Sequence, residues 1–123
     1  RTYYYQGRIY QNAGNDALAM ESFVKALSEG VESDDVLTQA RIYFAQSKIY
    51  YSLYEWDNFI EANKKAAACF QEAGVSNSYT NCIIRIINGY TLKEDSENAL
   101  QYIDECKRQL GTTSTLMLFM LQE

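Results

Sequence analysis

Three stretches of the sequence, spaced 40 residues apart, are similar to one another and decide the fold. They read GRIYQNAGNDALAMESFVKAL at residues 7–27, SKIYYSLYEWDNFIEANKKAA at 47–67 and, more faintly, INGYTLKEDSENALQYIDECK at 87–107. Tyr10, Tyr50 and Tyr90 occupy the same place in each stretch. An internal period of about 20–50 residues is typical of proteins that stack one supersecondary unit. The sequence therefore predicts a repeat architecture.

The composition favours a single all-α domain. The chain has 123 residues, of which 47% are apolar, with no proline and only 6 glycines, so few residues interrupt a helix. No stretch approaches the ~20 apolar residues of a membrane helix. We therefore expect no direct membrane insertion.

Each unit has the pattern of two amphipathic helices joined by a tight turn. In the first unit, Tyr3, Gly7 and Tyr10 have the spacing of one helical face, and Asn15 or Asp16 after the break is suited to cap a second helix. The predicted repeats cover residues 1–34, 35–74 and 75–111. Residues 112–123 are predicted to start a seventh helix.

The apolar and small positions resemble those of tetratricopeptide repeats. The first unit carries the pattern at Tyr3, Gly7, Tyr10, Ala19, Phe23 and Ala26. In the second unit, Phe59 and Asn63 replace the alanine and the aromatic residue, so its second helix must pack differently. The period of 40 exceeds the usual ~34, and the closing proline is missing. The resemblance, to a long and bacterial variant, implies a right-handed superhelix of antiparallel helix pairs, an α-solenoid with a concave groove.

The charges divide between the two kinds of helix. The segments that contain the first helices, 1–13, 36–54 and 76–92, hold five basic residues and no acidic one. The other six basic residues share the rest of the chain with all 16 acidic residues. The net charge of −5 thus conceals two opposite surfaces.

The first helices line the concave groove in the resemblance, so we expect their inward residues to bind a partner. These candidates are Tyr4, Arg8, Gln11, Asn12, Arg41, Phe44, Lys48, Tyr51, Ile84, Arg85 and Asn88. Arg8, Lys48 and Asn88 are spaced at 40 and are expected to form one row. Cationic groups interleaved with aromatic rings suit an extended, acidic protein segment. Simple solvation of these charges is the competing interpretation.

The sequence favours a non-catalytic scaffold that binds a protein or peptide. The alternative is a peptide-sensing regulatory domain that controls an attached effector domain. No catalytic residue, metal site or cofactor is predicted, because the chain has no histidine and no phosphate-binding or nucleophile-elbow motif. Cys69, Cys82 and Cys106 match no zinc spacing and are expected to be small apolar residues. The isoelectric point near 4.7 argues against nucleic acid as the partner.

The ends of the chain suggest that the sequence is a piece of a longer protein. It begins at Arg1 and closes on the apolar run LMLFML at residues 116–121. That run has no polar face, so we expect it to pack on another helix, in a fourth repeat or in a homodimer formed through one end of the array. The sequence leaves the compartment open: the cytoplasm is favoured, and the periplasm stays possible.

Overall fold

A computed structural model describes residues 2–29 and 34–110 of the chain. These residues form an all-α fold with no strand. Its helices are α1 Thr2–Asn12, α2 Asp16–Ser28, α3 Val36–Ser52, α4 Trp56–Ala73, α5 Ser76–Leu92 and α6 Ser96–Leu110. Helices that follow one another in sequence pack together. The predicted seventh helix and the apolar run at 116–121 lie outside the described residues.

The turn inside each helix pair repeats the same backbone geometry. One residue of each turn is left-handed, namely Gly14 (φ 81°), Tyr54 (φ 58°) and Glu94 (φ 61°), at intervals of 40. The next residue donates its amide hydrogen to the carbonyl of the repeated tyrosine, from Asn15 to Tyr10 (2.8 Å), Glu55 to Tyr50 (3.0 Å) and Asp95 to Tyr90 (2.8 Å). This bond satisfies a carbonyl that the helix end leaves open. The sequence period is therefore also a period of the backbone.

Side-chain caps explain where three of the helices begin. Asn15 accepts a bond from the amide of Leu18 at 3.2 Å, so Asn15, and not Asp16, is the cap of α2. Asp35 caps α3 through the amides of Leu37 and Thr38. Asp95 accepts from the amide of Asn98 in the same way. Each cap pairs an otherwise open amide of the first turn.

The buried apolar residues of the described segments form two clusters, and α3 contributes to both. Ile42, Ala45 and Ile49 of α3 pack with buried residues of α1 and α2. Ala40 packs with the larger cluster of α4, α5 and α6, in which Phe59 and Ile83 are almost completely buried. A helix that buries residues on two sides needs a neighbour on each. The second pair therefore holds the first and third together.

Candidate partner-binding face

A surface cavity of about 200 Å³ lies between α1 and α3. Six of the predicted groove residues line it together with Ala45: Tyr4, Arg8 and Gln11 from α1, and Arg41, Phe44 and Lys48 from α3. The sequence interval of 40 brings these residues together because α1 and α3 are the first helices of successive units. The cavity is thus built from two helices that carry no acidic residue.

The α1 side of the cavity is fixed by contacts below its surface. Tyr4 is only 8% exposed, and its ring centroid lies 6.4 Å from that of Phe23. Its hydroxyl accepts a hydrogen bond from Nη1 of Arg8 at 3.0 Å. Gln11 donates through Nε2 to the carbonyl of Ala45 at 2.9 Å and so ties α1 to α3. Tyr4 therefore supports Arg8 and contributes little exposed surface.

Two cationic side chains, those of Lys48 and Arg85, lie close to the ring of Phe44. Nζ of Lys48 lies 5.0 Å from the centre of the Phe44 ring. Cζ of Arg85, which belongs to α5, lies 4.8 Å from the same ring centre. Both distances are within the range of cation–π attraction. All three first helices therefore contribute a cation to one region, and we call Arg8, Arg41, Lys48 and Arg85 the cationic face.

Arg85 is held in place from its other side by α4. Its Cζ lies 5.1 Å from the ring centre of Phe59, and its Nε donates to Oδ1 of Asn63 at 3.3 Å. Asn63 is completely buried and donates through Nδ2 to the carbonyl of Phe59 at 2.8 Å. The amide thus satisfies both of its functions inside the protein. Arg85 is positioned before any ligand arrives.

The cationic face has no acidic partner among the described residues. The ion pairs found among the described residues join Lys25 to Glu21 and Lys93 to Asp57, and neither pair involves the cationic face. Partial burial lowers the pKa of Lys48, and the positive charges of Arg8 and Arg85 lower it further. Burial also lowers the pKa of Arg85, although it stays charged. Uncompensated charge of one sign favours an anionic ligand.

The remaining predicted groove residues stand apart from this cavity. Asn12 and Asn88 are exposed on α1 and α5, and neither lines it. Ile84 is only 8% exposed and belongs to the buried part of α5. Tyr51 packs against the rings of Trp56 and Phe59, each at 5.4 Å between centroids. The residue of α5 that shares the ring of Phe44 with Lys48 is therefore Arg85 and not Asn88.

The sequence interpretation missed the residue that supports Arg85. Asn63 stands where the repeat pattern expects an aromatic residue, and that departure was the available signal. A buried asparagine requires hydrogen-bond partners, and a nearby arginine is a suitable donor. The pattern did not reveal that this arginine comes from the following repeat.

The described residues contain neither a cluster of metal ligands nor a thiol with a lowered pKa. No group of three or more His, Cys, Asp or Glu residues is placed to hold a metal ion among them. Burial raises the pKa of the Cys82 thiol to about 12 and that of Cys106 to about 11. Thiols with raised pKa values are poor nucleophiles at neutral pH. Within the described part of the chain, no helix combines the length and apolarity needed to cross a membrane.

Comparisons with known proteins give no match: neither a protein-family model, nor a curated protein, nor a solved structure is significantly similar to this chain.

Proposed function

We propose that the chain is a non-catalytic binding module whose cationic face holds an extended, acidic segment of a protein partner. The observation that carries the proposal is that Lys48 and Arg85 lie at the ring of Phe44 and Arg8 lines the same cavity, with no acidic residue of the described chain at ion-pair distance. Carboxylates of the partner would supply the missing charge, and its apolar side chains would lie on Phe44. The stacked helix pairs would continue as the superhelix implied by the tetratricopeptide resemblance.

The length of the face fits an extended segment better than a small molecule. Its cations come from three different helices, whereas the cavity between α1 and α3 measures only about 200 Å³. Cavities that enclose small ligands usually measure about 300–1,000 Å³. A ligand that follows the face across α1, α3 and α5 meets a charge from each repeat. Several weak contacts along the face would then hold the ligand in its extended conformation.

Isothermal titration with an acidic peptide tests the proposal. The probe is an eight-residue peptide of alternating glutamate and phenylalanine, compared with its glutamine counterpart. We expect the acidic peptide to bind at least about tenfold more tightly, with an advantage that shrinks as salt rises. Equal affinity of both peptides, or no binding of either, would contradict the proposal.

A charge-reversed variant locates the site. Arg8→Glu combined with Lys48→Glu should weaken binding of the acidic peptide by about tenfold or more. The control is Lys107→Glu combined with Lys25→Glu, which changes the net charge equally on α6 and α2. Equal losses in both double variants would show that only net charge attracts the peptide.

The same protein serves to test nucleic acid and the sensing alternative. If the cationic face retained single-stranded RNA tightly and in a salt-sensitive way, RNA and not the acidic peptide would be the preferred ligand. A peptide-sensing domain would in addition become more compact on binding, which X-ray scattering measures. A binding scaffold would keep its dimensions.

A further inference from the structure

A second and larger surface cavity lies at the turns of the second and third helix pairs. Its volume is about 550 Å³. The residues that give it chemical character are Tyr54, Glu55, Trp56, Asp57, Lys93 and Glu94. None of them belongs to the cationic face. We call this site the turn cavity.

Aromatic rings form one wall of the turn cavity. The rings of Tyr54 and Trp56 are 5.8 Å apart between centroids and inclined at 69°. The ring of Tyr51 also contacts that of Trp56, at 5.4 Å between centroids and 67°. Tyr54 is 76% exposed, so most of its surface is accessible to a ligand. Tyrosine and tryptophan rings attract a cation placed over them.

The charged residues of the turn cavity have an acidic excess. Among the described residues that line it, three carry carboxylates, namely Glu55, Asp57 and Glu94, and one is basic, Lys93. Lys93 pairs with Asp57. Glu55 accepts a bond from the neutral amide of Asn58 at 3.0 Å, so its charge is not compensated. Two negative charges therefore remain beside two aromatic rings.

Two residues reach the turn cavity at a cost to the backbone. Tyr54 and Glu94 are left-handed, at the positions that correspond to Gly14 in the first turn. Non-glycine residues there cost about 1 kcal/mol relative to glycine. Neither side chain is needed to form the turn, because Gly14 forms the same turn without one. Both side chains line the same cavity.

We propose that the turn cavity binds a lysine or arginine side chain of a protein partner. The cation lies against the rings of Tyr54 and Trp56, and the carboxylates of Glu55 and Glu94 neutralise it. This site is separate from the cationic face and has the opposite charge preference. The inference therefore does not depend on the proposed function, and each can fail without the other.

Trp56 is the only tryptophan of the chain, so its fluorescence reports on this cavity. The probe is a hexa-arginine peptide titrated at low ionic strength, with hexaglutamate as the oppositely charged control. We expect hexa-arginine to change the emission of Trp56 with saturation. Hexaglutamate, which is expected at the cationic face, should leave the emission unchanged. An emission that hexa-arginine does not alter would overturn the proposal.

Glu94→Gly separates a binding role from a structural one. Glycine relieves the left-handed backbone, so the melting temperature should rise by roughly 4 °C. The same substitution removes a carboxylate from the cavity, so hexa-arginine should bind about three- to tenfold more weakly. If Glu94 had only a structural role, its substitution by glycine would raise the stability of the protein without weakening the binding of hexa-arginine. Unchanged affinity in Glu94→Gly would therefore contradict the proposal.

Two further variants complete the test. Tyr54→Gly should also weaken hexa-arginine binding by about three- to tenfold, because it removes one ring of the wall. Glu72→Gln removes a carboxylate at the opposite end of α4 and should leave the affinity unchanged. Equal losses in Glu72→Gln and Glu94→Gly would show attraction to the acidic surface in general, and would overturn a specific site.

Discussion

The first helix pair and the junction between the second and third pairs achieve close helix packing in different ways. In the first pair, Gly7 of α1 lies directly against the ring of Phe23 in α2. At the later junction, Gly89 of α5 lies against Ile60 and Phe59 of α4, which belongs to the preceding pair. One glycine closes a pair, and the other joins two pairs. Equivalent units can therefore be stabilised at different interfaces.

This difference is accompanied by an exchange of large and small residues along the second helix of the unit. The first unit has Ala19 followed by Phe23, whereas the second has Phe59 followed by Asn63. The bulky ring has moved one helical turn earlier. In its new position, Phe59 lies beside Gly89: a Cβ atom added there would lie 3.1 Å from Cδ2 of Phe59 and 2.5 Å from Cγ1 of its neighbour Ile60. The buried Asn63 is then free to bind Arg85 of α5.

Gly7→Ala should give the largest effect, since it breaks the close contact of the first pair. A Cβ atom at this position would lie less than 3.0 Å from three ring carbons of Phe23. Overpacking of this kind costs about 3 kcal/mol of unfolding free energy. Urea denaturation measures the loss.

Two companion variants check the cause of that loss. Phe23→Leu in the Gly7→Ala background should recover part of the stability, because the smaller side chain leaves room for the methyl group. Ser47→Ala, at the equivalent position of the second pair, should cost less than about 1 kcal/mol. Equal costs at positions 7 and 47 would show that the two pairs pack alike.

Asn63→Leu should have the next largest effect, at the other interface. Leucine is similar in volume but removes the acceptor of Arg85, whose Nε is then left unpaired in a half-buried position. We expect a loss of about 2 kcal/mol in unfolding free energy. A double-mutant cycle with Arg85→Met should show a coupling of at least about 0.5 kcal/mol. Additive losses would mean that Asn63 stabilises α4 alone.

The all-α class was predictable because every unit contains the local signals that form a helix pair. The period of 40 located the turns, and Asn15 or Asp16 marked the start of α2. Helical spacing and the resemblance also identified six residues that line the cavity between α1 and α3. These features depend on residues near one another in sequence, or on a strict interval between units.

The contacts that cross between units were not predictable in the same way. The interval of 40 pointed to Asn88, but the cation that reaches Phe44 is Arg85, about one helical turn earlier. Arg85 contacts both Phe59 and Asn63, the two residues of α4 that depart from the pattern of the first unit. Ile84, one residue before Arg85, is buried. A pattern that treats all units as equal does not contain this information.

Gly14→Ala should have a smaller effect that is confined to the first turn. Gly14 has φ 81°, and no atom lies within 4 Å of an added Cβ, so the cost comes from the backbone alone. We expect a loss of about 1 kcal/mol. Tyr54→Ala keeps the left-handed penalty at the equivalent position and serves as the comparison. A loss above about 2 kcal/mol in Gly14→Ala would indicate a side-chain clash instead.

The smallest expected effect is a dependence of stability and binding on pH. It tests whether the first helix pair and the junction between the second and third pairs bind the same ligand. Burial, Arg8 of α1 and Arg85 of α5 together lower the pKa of Lys48 below its ordinary 10.5. Between the lowered pKa and 10.5, the unfolded chain holds a proton that the folded chain has released. The free energy of unfolding therefore rises with pH across this window, because the unfavourable charge is removed.

A bound acidic peptide reverses this preference, because its carboxylates stabilise the charged form of Lys48. Binding then takes up a proton, so the affinity should fall by about threefold as pH rises through the same window. Lys48→Arg provides the matched control, since arginine keeps its charge there and should give a flatter profile. Arg8→Gln should raise the pKa of Lys48 and move the decline to higher pH. If the affinity of Lys48→Arg declined in the same way, the pH dependence would come from other groups. The peptide would then not bind the first and second helix pairs together through Lys48.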